Sequence, residues 1–259
     1  MSKAIDCAYV VDGQGPALVM VHGIGARKTG WDKVTEVLKD SFTCIRYDLR
    51  GHGESPLPTE EFGLEELVED LEALRARLGI EQMHIIGHSL GGMIGPAYAH
   101  KYPQHVLSVG LLSTAAFRSP QDSENVRKVV RAMEEKGIGP VLDTLTQRWF
   151  TESFCAAHPE VIEWRKQQVM DTPAEVFLNV FHIYAETEMA PWLHEVKQPC
   201  LVLTGEFDGG CNPGLNRQIA EALPHSQLVV LPDLKHAILI EASDQVVPHL
   251  KAFLDKASH

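Results

Sequence analysis

The chain has 259 residues, of which 44% are hydrophobic and 22% charged, a composition typical of a soluble globular protein. Its formal net charge of -12 and its lack of a lysine or arginine run argue against a nucleic-acid or membrane partner, since both surfaces favour clustered cations. Five scattered cysteines without a Cys-x-x-Cys pair argue against a disulfide framework and a zinc site, so we expect no metal ligands.

The first part of the chain alternates buried-strand patterns with helical patterns. Residues 17–21 form a continuous apolar run, as expected for a strand covered on both faces of a parallel sheet. Residues 64–78 have leucines on one helical face and acids on the other. In chain order, this region predicts strands over 7–11, 17–21, 42–47, 83–86 and 106–112, and helices over 31–38, 64–78 and 93–101.

The alternation stops after residue 113 and resumes near residue 200. The sequence predicts helices over 123–136, 141–149, 159–170 and 174–185, then strands over 200–204 and 228–231 with helices over 215–222 and 246–254. This pattern predicts an α/β fold, a doubly wound and mostly parallel sheet with a helical cap inserted after the sixth strand. We assign residues 1–113 and 197–259 to the core and residues 114–196 to the cap, which would cover the ligand-binding edge of the sheet.

A Gly-x-Ser-x-Gly motif, Gly-His-Ser-Leu-Gly at residues 87–91, lies between a predicted strand and a predicted helix. In that setting the turn forces Ser89 into a strained backbone conformation and exposes its hydroxyl. The next amide, that of Leu90, then lies at a helix N-terminus, where it can bind an oxyanion. Such a motif on its own also fits an ordinary strand–helix turn. Whether Ser89 is a nucleophile therefore has to be judged from the rest of the chain.

A serine hydroxyl becomes a good nucleophile only beside a base, usually a histidine oriented by a carboxylate. In a sheet of this kind the three groups follow the order serine, acid, histidine, each after a strand. Asp208 follows the first strand after the cap, and His236 follows the next one. Glu206 is the alternative acid, whereas Asp233 is expected only to shape the turn before His236.

The loop after the strand at 17–21 reads His-Gly-Ile-Gly and supplies a candidate second oxyanion donor, the amide of Ile24. Gly23 allows the backbone to approach a ligand closely. The loop lacks the third glycine of a dinucleotide fingerprint and any Gly-Lys-Ser/Thr sequence, so a phosphate site is not expected. His22, His52 and His88 fall near the same edge and are expected to shape loops or line the pocket.

With these residues assigned, the chain resembles the α/β-hydrolase family over essentially its whole length. The resemblance rests on Val21-His22-Gly23, on residues 47–55, on Gly87-His88-Ser89-Leu90-Gly91-Gly92, on residues 205–208, and on His236 with Glu241 five residues later. It implies a Ser89–His236–Asp208 triad and an oxyanion hole formed by the Ile24 and Leu90 amides.

A narrower resemblance is to 3-oxoadipate enol-lactonases and small carboxylesterases. It rests on residues 46–53, on residues 112–116, and on Arg148-Trp149-Phe150-Thr151 in the cap. In enol-lactonase-like enzymes that cap segment lies near a carboxylate-bearing substrate, which implies pocket roles for Trp149 and Arg148. We expect His88 and Gly23 to line the same pocket.

The sequence thus predicts a serine hydrolase that cleaves a small carboxylic ester or lactone through an acyl-enzyme intermediate and needs no cofactor. The alternatives are a C–C bond or amide hydrolase of the same fold and a ligand receptor derived from a hydrolase. We expect a small-molecule substrate as partner and a cytoplasmic location, because no segment approaches the ~20 apolar residues of a membrane span. Assembly into a homo-oligomer is left open.

Overall fold

The structure, a computed structural model, describes residues 4–258, so residues 1–3 and 259 of the predicted core lie outside the described residues. The strands are β1 Tyr9–Asp12, β2 Ala17–Val21, β3 Thr43–Tyr47, β4 Met83–His88, β5 Val106–Leu112, β6 Cys200–Gly205 and β7 Ser226–Leu231. The helices are α1 Asp32–Leu38, α2 Leu64–Arg77, α3 Gly91–Lys101, α4 Pro120–Lys136, α5 Ile138–Trp149, α6 Glu152–Ala157, α7 Pro159–Met170, α8 Ala174–Glu186, α9 Pro213–Ala222, α10 Ile238–Glu241 and α11 Ser243–Ala257. No helix within residues 4–258 has the length and apolar content needed to cross a membrane.

The seven strands form one sheet in the order β1-β3-β2-β4-β5-β6-β7. Only β1 runs antiparallel, against β3, and all other neighbouring strands are parallel. This arrangement confirms the predicted doubly wound, mostly parallel sheet. The strand order reverses between β2 and β4. In such sheets, ligands bind in the crevice that forms at the point of reversal, at the carboxyl ends of the strands.

Helices α4 to α8 lie between β5 and β6, and the fully described residues 114–196 contain no strand. The expected position of this insertion after the sixth strand is wrong by one. The five strands predicted before residue 113 all form, and no sixth strand precedes the insertion among the described residues. The cap helices bury their own apolar cluster, in which Val130, Leu142 and Phe177 pack together, and Ile24 of the core packs against that cluster.

Two short helices, α6 and α10, were not predicted from the sequence. They have six and four residues, too few to show the apolar spacing that identifies a helix. Helix α6 begins instead from a local capping interaction, in which the Phe154 amide donates to the Thr151 hydroxyl at 3.2 Å.

A buried ion pair fixes the loop that follows β3. The Arg50 guanidinium donates from Nε to Asp70 Oδ2 and from Nη2 to Asp70 Oδ1, both at 2.7 Å. The two side chains are 0% and 1% exposed. The same loop carries His52, which contacts the loop after β2, so this pair supports the crevice at the sheet edge.

Replacing Asp70 by alanine should lower the free energy of unfolding by about 3–5 kcal/mol, because it leaves the buried Arg50 charge without its carboxylate. Glu65→Ala on the same helix is the control. Its exposed pair with Lys101 should contribute less than about 1 kcal/mol. Urea unfolding followed by circular dichroism measures both, and equal midpoints for the two variants would contradict the assignment.

Candidate active site

Ser89 stands on a sharp turn between β4 and α3. Its φ is 57°, in the left-handed region that side chains rarely adopt, as the motif predicts. A Cβ at Gly87 would lie 1.9 Å from the Gly91 carbonyl oxygen, and one at Gly91 would lie 2.2 Å from that of Val21. The Ser89 amide donates to the Leu112 carbonyl at 2.9 Å, which ties the turn to the end of β5.

The loops after β6 and β7 bring Asp208 and His236 together. His236 donates from Nδ1 to Asp208 Oδ2 at 2.7 Å. The other carboxylate oxygen accepts hydrogen bonds from the amides of Gly210 at 3.1 Å and Cys211 at 2.9 Å. Glu206, the alternative acid, is exposed to solvent. The hydrogen-bonded partner of the histidine is therefore Asp208.

The electrostatics of this pair follow from burial and proximity. Burial disfavours the imidazolium, but the adjacent Asp208 carboxylate outweighs this effect and raises the pKa of His236 above its ordinary 6.5. Burial likewise opposes ionisation of Asp208, yet the charge and hydrogen bond of His236 hold the pKa of Asp208 below 3.8. Asp208 therefore stabilises the imidazolium that forms when His236 takes up a proton.

The loop that carries His236 is held from two sides. From β4, His88 donates from Nε2 to the His236 carbonyl at 2.9 Å. From the cap, the Trp149 carbonyl accepts from the Ala237 amide at 2.8 Å. Burial lowers the pKa of His88 to about 3, so its ring stays neutral. His88 therefore lines the cavity but also positions the His236 loop.

The peptide between Gly23 and Ile24 is fixed by His22. The ring donates from Nδ1 to the Gly23 carbonyl at 2.8 Å, and its Nε2 accepts from the Leu49 amide at 2.9 Å. Burial lowers the pKa of His22 to about 4, which keeps the ring neutral and able to both donate and accept. Because the peptide is trans, anchoring the Gly23 carbonyl on one side directs the Ile24 N–H to the other.

The next peptides of this loop are held by His52 and by the cap. The Gly25 amide donates to His52 Nε2 at 3.1 Å. Arg165 of α7 donates from Nη1 to the Gly25 carbonyl at 2.6 Å and from Nη2 to the Ile24 carbonyl at 2.9 Å. Its guanidinium also lies 5.1 Å from the Trp149 ring centroid. No sequence motif identified Arg165, yet it is the cap residue that directly orders the loop.

Two backbone amides near Ser89 have no partner. Among the hydrogen bonds of residues 4–258, none is donated by the amide of Ile24 or of Leu90. Gly23 brings the loop against the serine, since a Cβ at Gly23 would lie 2.9 Å from the Ser89 Cβ. The unpaired donors therefore belong to the loop and the turn that meet at the nucleophile candidate.

These groups open into one cavity of about 780 Å³ beneath the cap. Its lining includes Ser89, Asp208 and His236, and the expected pocket residues Gly23, Ile24, His88, Arg148 and Trp149. The Leu90 side chain is instead fully buried in the core, so only its backbone can serve the site. Sequence reasoning missed three further lining residues, Arg118, Tyr184 and Cys211, because no local pattern marks them.

One grouping of metal-ligand side chains occurs within residues 4–258. Donor atoms of Asp208, Cys211 and His236 lie within 4.8 Å of one another. Asp208 and His236 are already joined by a direct hydrogen bond, so this grouping is explained as an acid–base pair with a thiol beside it. The absence of metal ligands stays a prediction.

Comparison with known proteins identifies the class. The family described as alpha/beta hydrolase fold matches residues 16–243, and the chain belongs to that family. It is 29% identical to 3-oxoadipate enol-lactonase 2 of Acinetobacter baylyi over 225 residues, 86% of this chain and 84% of that protein. The expected resemblance to enol-lactonases is confirmed, and the chain is a hydrolase.

Two solved structures share this fold over nearly the whole chain. The enol-lactonase from Burkholderia xenovorans aligns with a TM-score of 0.90 at 26% identity, over 98% of this chain and 100% of that one. A thermophilic esterase from Thermogutta terrifontis, solved with malate bound, aligns with a TM-score of 0.88 at 32% identity, over 98% and 94% of the two chains.

The His236 imidazole should titrate above pH 6.5, and Asp208→Asn should lower its pKa, because burial then acts without the opposing carboxylate. Glu206→Gln, which removes the exposed acid on the same loop, should leave the titration unchanged. Nitrogen-15 NMR of labelled histidine, with His236→Gln used to assign the signal, measures all three. A native pKa at or below 6.5 would refute the dominance of Asp208.

Proposed function

We propose that this chain is a serine hydrolase that cleaves a small carboxylic ester or lactone through an acyl-enzyme intermediate. The observation that carries the proposal is the shared cavity of Ser89, on its left-handed turn, and the hydrogen-bonded His236–Asp208 pair. A serine hydroxyl needs an oriented base to become nucleophilic, and this pair supplies one. The proposal requires no cofactor.

In the first half of the reaction, the Ser89 hydroxyl attacks the carbonyl carbon while neutral His236 accepts its proton at Nε2. Asp208, bonded at Nδ1, holds the ring in this tautomer and stabilises the imidazolium. The amides of Ile24 and Leu90 bind the oxyanion. His236 then donates its proton to the leaving alkoxide, and the acyl group remains on Ser89.

In the second half, His236 takes a proton from water as the water attacks the acyl carbon, and it then returns that proton to Ser89 Oγ as the bond to Ser89 breaks and the acid is released. The same two amides stabilise this second oxyanion. An amide donor of this kind contributes about 10²–10³ in rate when it is fixed before reaction. His22 and Arg165 donate hydrogen bonds to carbonyls of the loop after β2. These bonds support a fixed position for the Ile24 amide without contacting the substrate.

The substrate class follows from the cavity and from the relatives. A volume of about 780 Å³ suits a small molecule. Apolar cap residues such as Trp149 and Phe181 contribute to its walls. Similarity to an enol-lactonase and to an esterase supports an ester or lactone as the substrate.

Ser89→Ala should lower kcat/KM for p-nitrophenyl butyrate by at least about 10⁴-fold, because it removes the hydroxyl that forms the proposed acyl intermediate. Ser153→Ala, an exposed serine outside the cavity, is the matched control and should keep the native rate. Undiminished turnover by Ser89→Ala would overturn the proposal.

The acyl intermediate can be detected directly. Rapid acid quenching during turnover of p-nitrophenyl acetate should yield a protein about 42 Da heavier, the mass added by one acetyl group. The acetyl group should be attached to Ser89, and Ser89→Ala should show no mass increase. Turnover of amides or vinylogous diketones together with inertness toward all esters would instead favour the alternative hydrolase.

A further inference from the structure

A second cavity lies at the junction between the cap and the core, and the proposed reaction does not use it. Its volume is about 380 Å³, and it is bounded by the short helical turn Lys28–Trp31, by α7 and by α10. Lys33 and Glu160 line it and are exposed to solvent. The other side chains of its wall are mostly apolar, namely Val161, Trp164, Leu239 and Ile240. This wall suits an uncharged, apolar group.

The second cavity adjoins the cavity that contains Ser89. Gly30, Leu239 and Ile240 line both of them. The boundary that these residues form consists of a backbone segment without a side chain and of two apolar side chains. An apolar chain can therefore cross it without removing water from a charged or polar side chain of these residues.

Gly30 leaves open space at this boundary. A Cβ built on Gly30 would have no heavy atom of the described chain within 4 Å outside its own turn. Its φ lies outside the left-handed region, so the backbone does not require glycine here. Gly25, earlier in the same loop, differs, since a Cβ there would lie 2.6 Å from the Phe177 ring. The space beside Gly30 is therefore not filled by packing and is available to a ligand.

The wall of the second cavity exposes apolar surface to water. Trp164 is 46% exposed, and Val161 and Ile240 are half-buried. Isolated exposed apolar residues are common on protein surfaces, but these three surround a concavity that adjoins the nucleophile candidate. An apolar chain that covers them removes their surface from water, which is favourable.

The distribution of charge favours an uncharged chain at this end of the active-site cavity. The lysines in the lining of that cavity, Lys128 and Lys136, belong to α4, which packs against α5 and α8. Trp31 and Leu239, next to the boundary, are buried and apolar. Arg165 lies on α7, but both its terminal nitrogens bond carbonyls of the loop after β2. A charged group would lose hydration in crossing the boundary, whereas an alkyl chain would not.

We infer that the substrate carries an unbranched alkyl chain that runs from the ester group at Ser89, past Gly30, into the second cavity. This inference rests on the proposed hydrolysis and defines its substrate class as a neutral ester or alkyl lactone of medium chain length. Each methylene group that leaves water contributes about fourfold to affinity. The chain belongs either to the acyl part or to the alcohol part, and two ester series distinguish these sources.

The acyl series is p-nitrophenyl acetate, butyrate, hexanoate and octanoate. The alcohol series is ethyl, butyl, hexyl and octyl acetate. All esters are used below their critical micelle concentrations. The measured quantity is the ratio of kcat/KM for the longest ester to that for the butyrate or the butyl ester of the same series.

We expect the native ratio to exceed one in one series, which identifies the part of the substrate that carries the chain. Gly30→Leu fills the open space and should lower this ratio by about 10-fold or more, mainly through KM for the longer ester. Trp164→Ala removes part of the wall and should lower it by about 3- to 10-fold. Met170→Ala is the matched control and should keep the native ratio, because Met170 is an exposed apolar residue on the same helix that lines neither cavity.

A native ratio at or below one in both series would overturn the inference while Ser89-dependent hydrolysis stands. The inference would fail equally if Gly30→Leu lowered kcat/KM for the short and the long ester by the same factor, since the substitution would then act on the reaction and not on the chain.

Binding of methyl ketones, which the protein cannot hydrolyse, tests the second cavity without catalysis. By calorimetry, 2-decanone should bind the native protein at least about 10-fold more tightly than 2-hexanone, and Gly30→Leu should reduce this preference. A preference that depends on Gly30, in a protein that turns over no ester, would support the second cavity and count only against the proposed function. An equal preference in the two proteins would contradict the inference.

Discussion

The turn after β4 leaves no room for a side chain at Gly87 or Gly91, and the rest of the site is arranged around this contact. The close approach forces Ser89 into the left-handed region and fixes the direction of its side chain. From the same turn, His88 reaches the carbonyl of His236 and positions the loop of the candidate base. A single steric constraint thus fixes the backbone of Ser89 and, through His88, helps to position the loop that carries His236.

The sequence predicts this much of the site because a parallel sheet converts chain order into spatial order. Residues that follow different parallel strands gather at one edge, so Ser89, Asp208 and His236 could be assigned together before their geometry was known. The buried strands can be predicted equally well, since continuous apolar runs identify them. The sequence favoured Asp208 and left Glu206 as the alternative, because both follow the same strand. In the structure Asp208 is buried and hydrogen-bonded to His236, whereas Glu206 is exposed.

The cap was harder to predict beyond its helical content. Its longer helices have apolar spacing, but the position of Arg118 or Arg165 depends on how those helices pack on the core. Neither arginine belongs to a local motif, and the bonds of Arg165 join residues 140 and 141 positions apart. Such contacts are a property of the assembled fold. The cationic side chains that line the cavity could likewise not be predicted from the composition, because the chain as a whole is acidic.

The bonds from Arg165 to the carbonyls of Ile24 and Gly25 bear on how enzymes of this architecture can be re-engineered. Exchanging the cap for another, to obtain a differently shaped pocket, would also remove the donor that orders the loop at the bottom of the site. A chimera therefore needs a cation at the equivalent place on its new seventh helix, or a loop that keeps its shape unaided. The cap and the loop form one module for design.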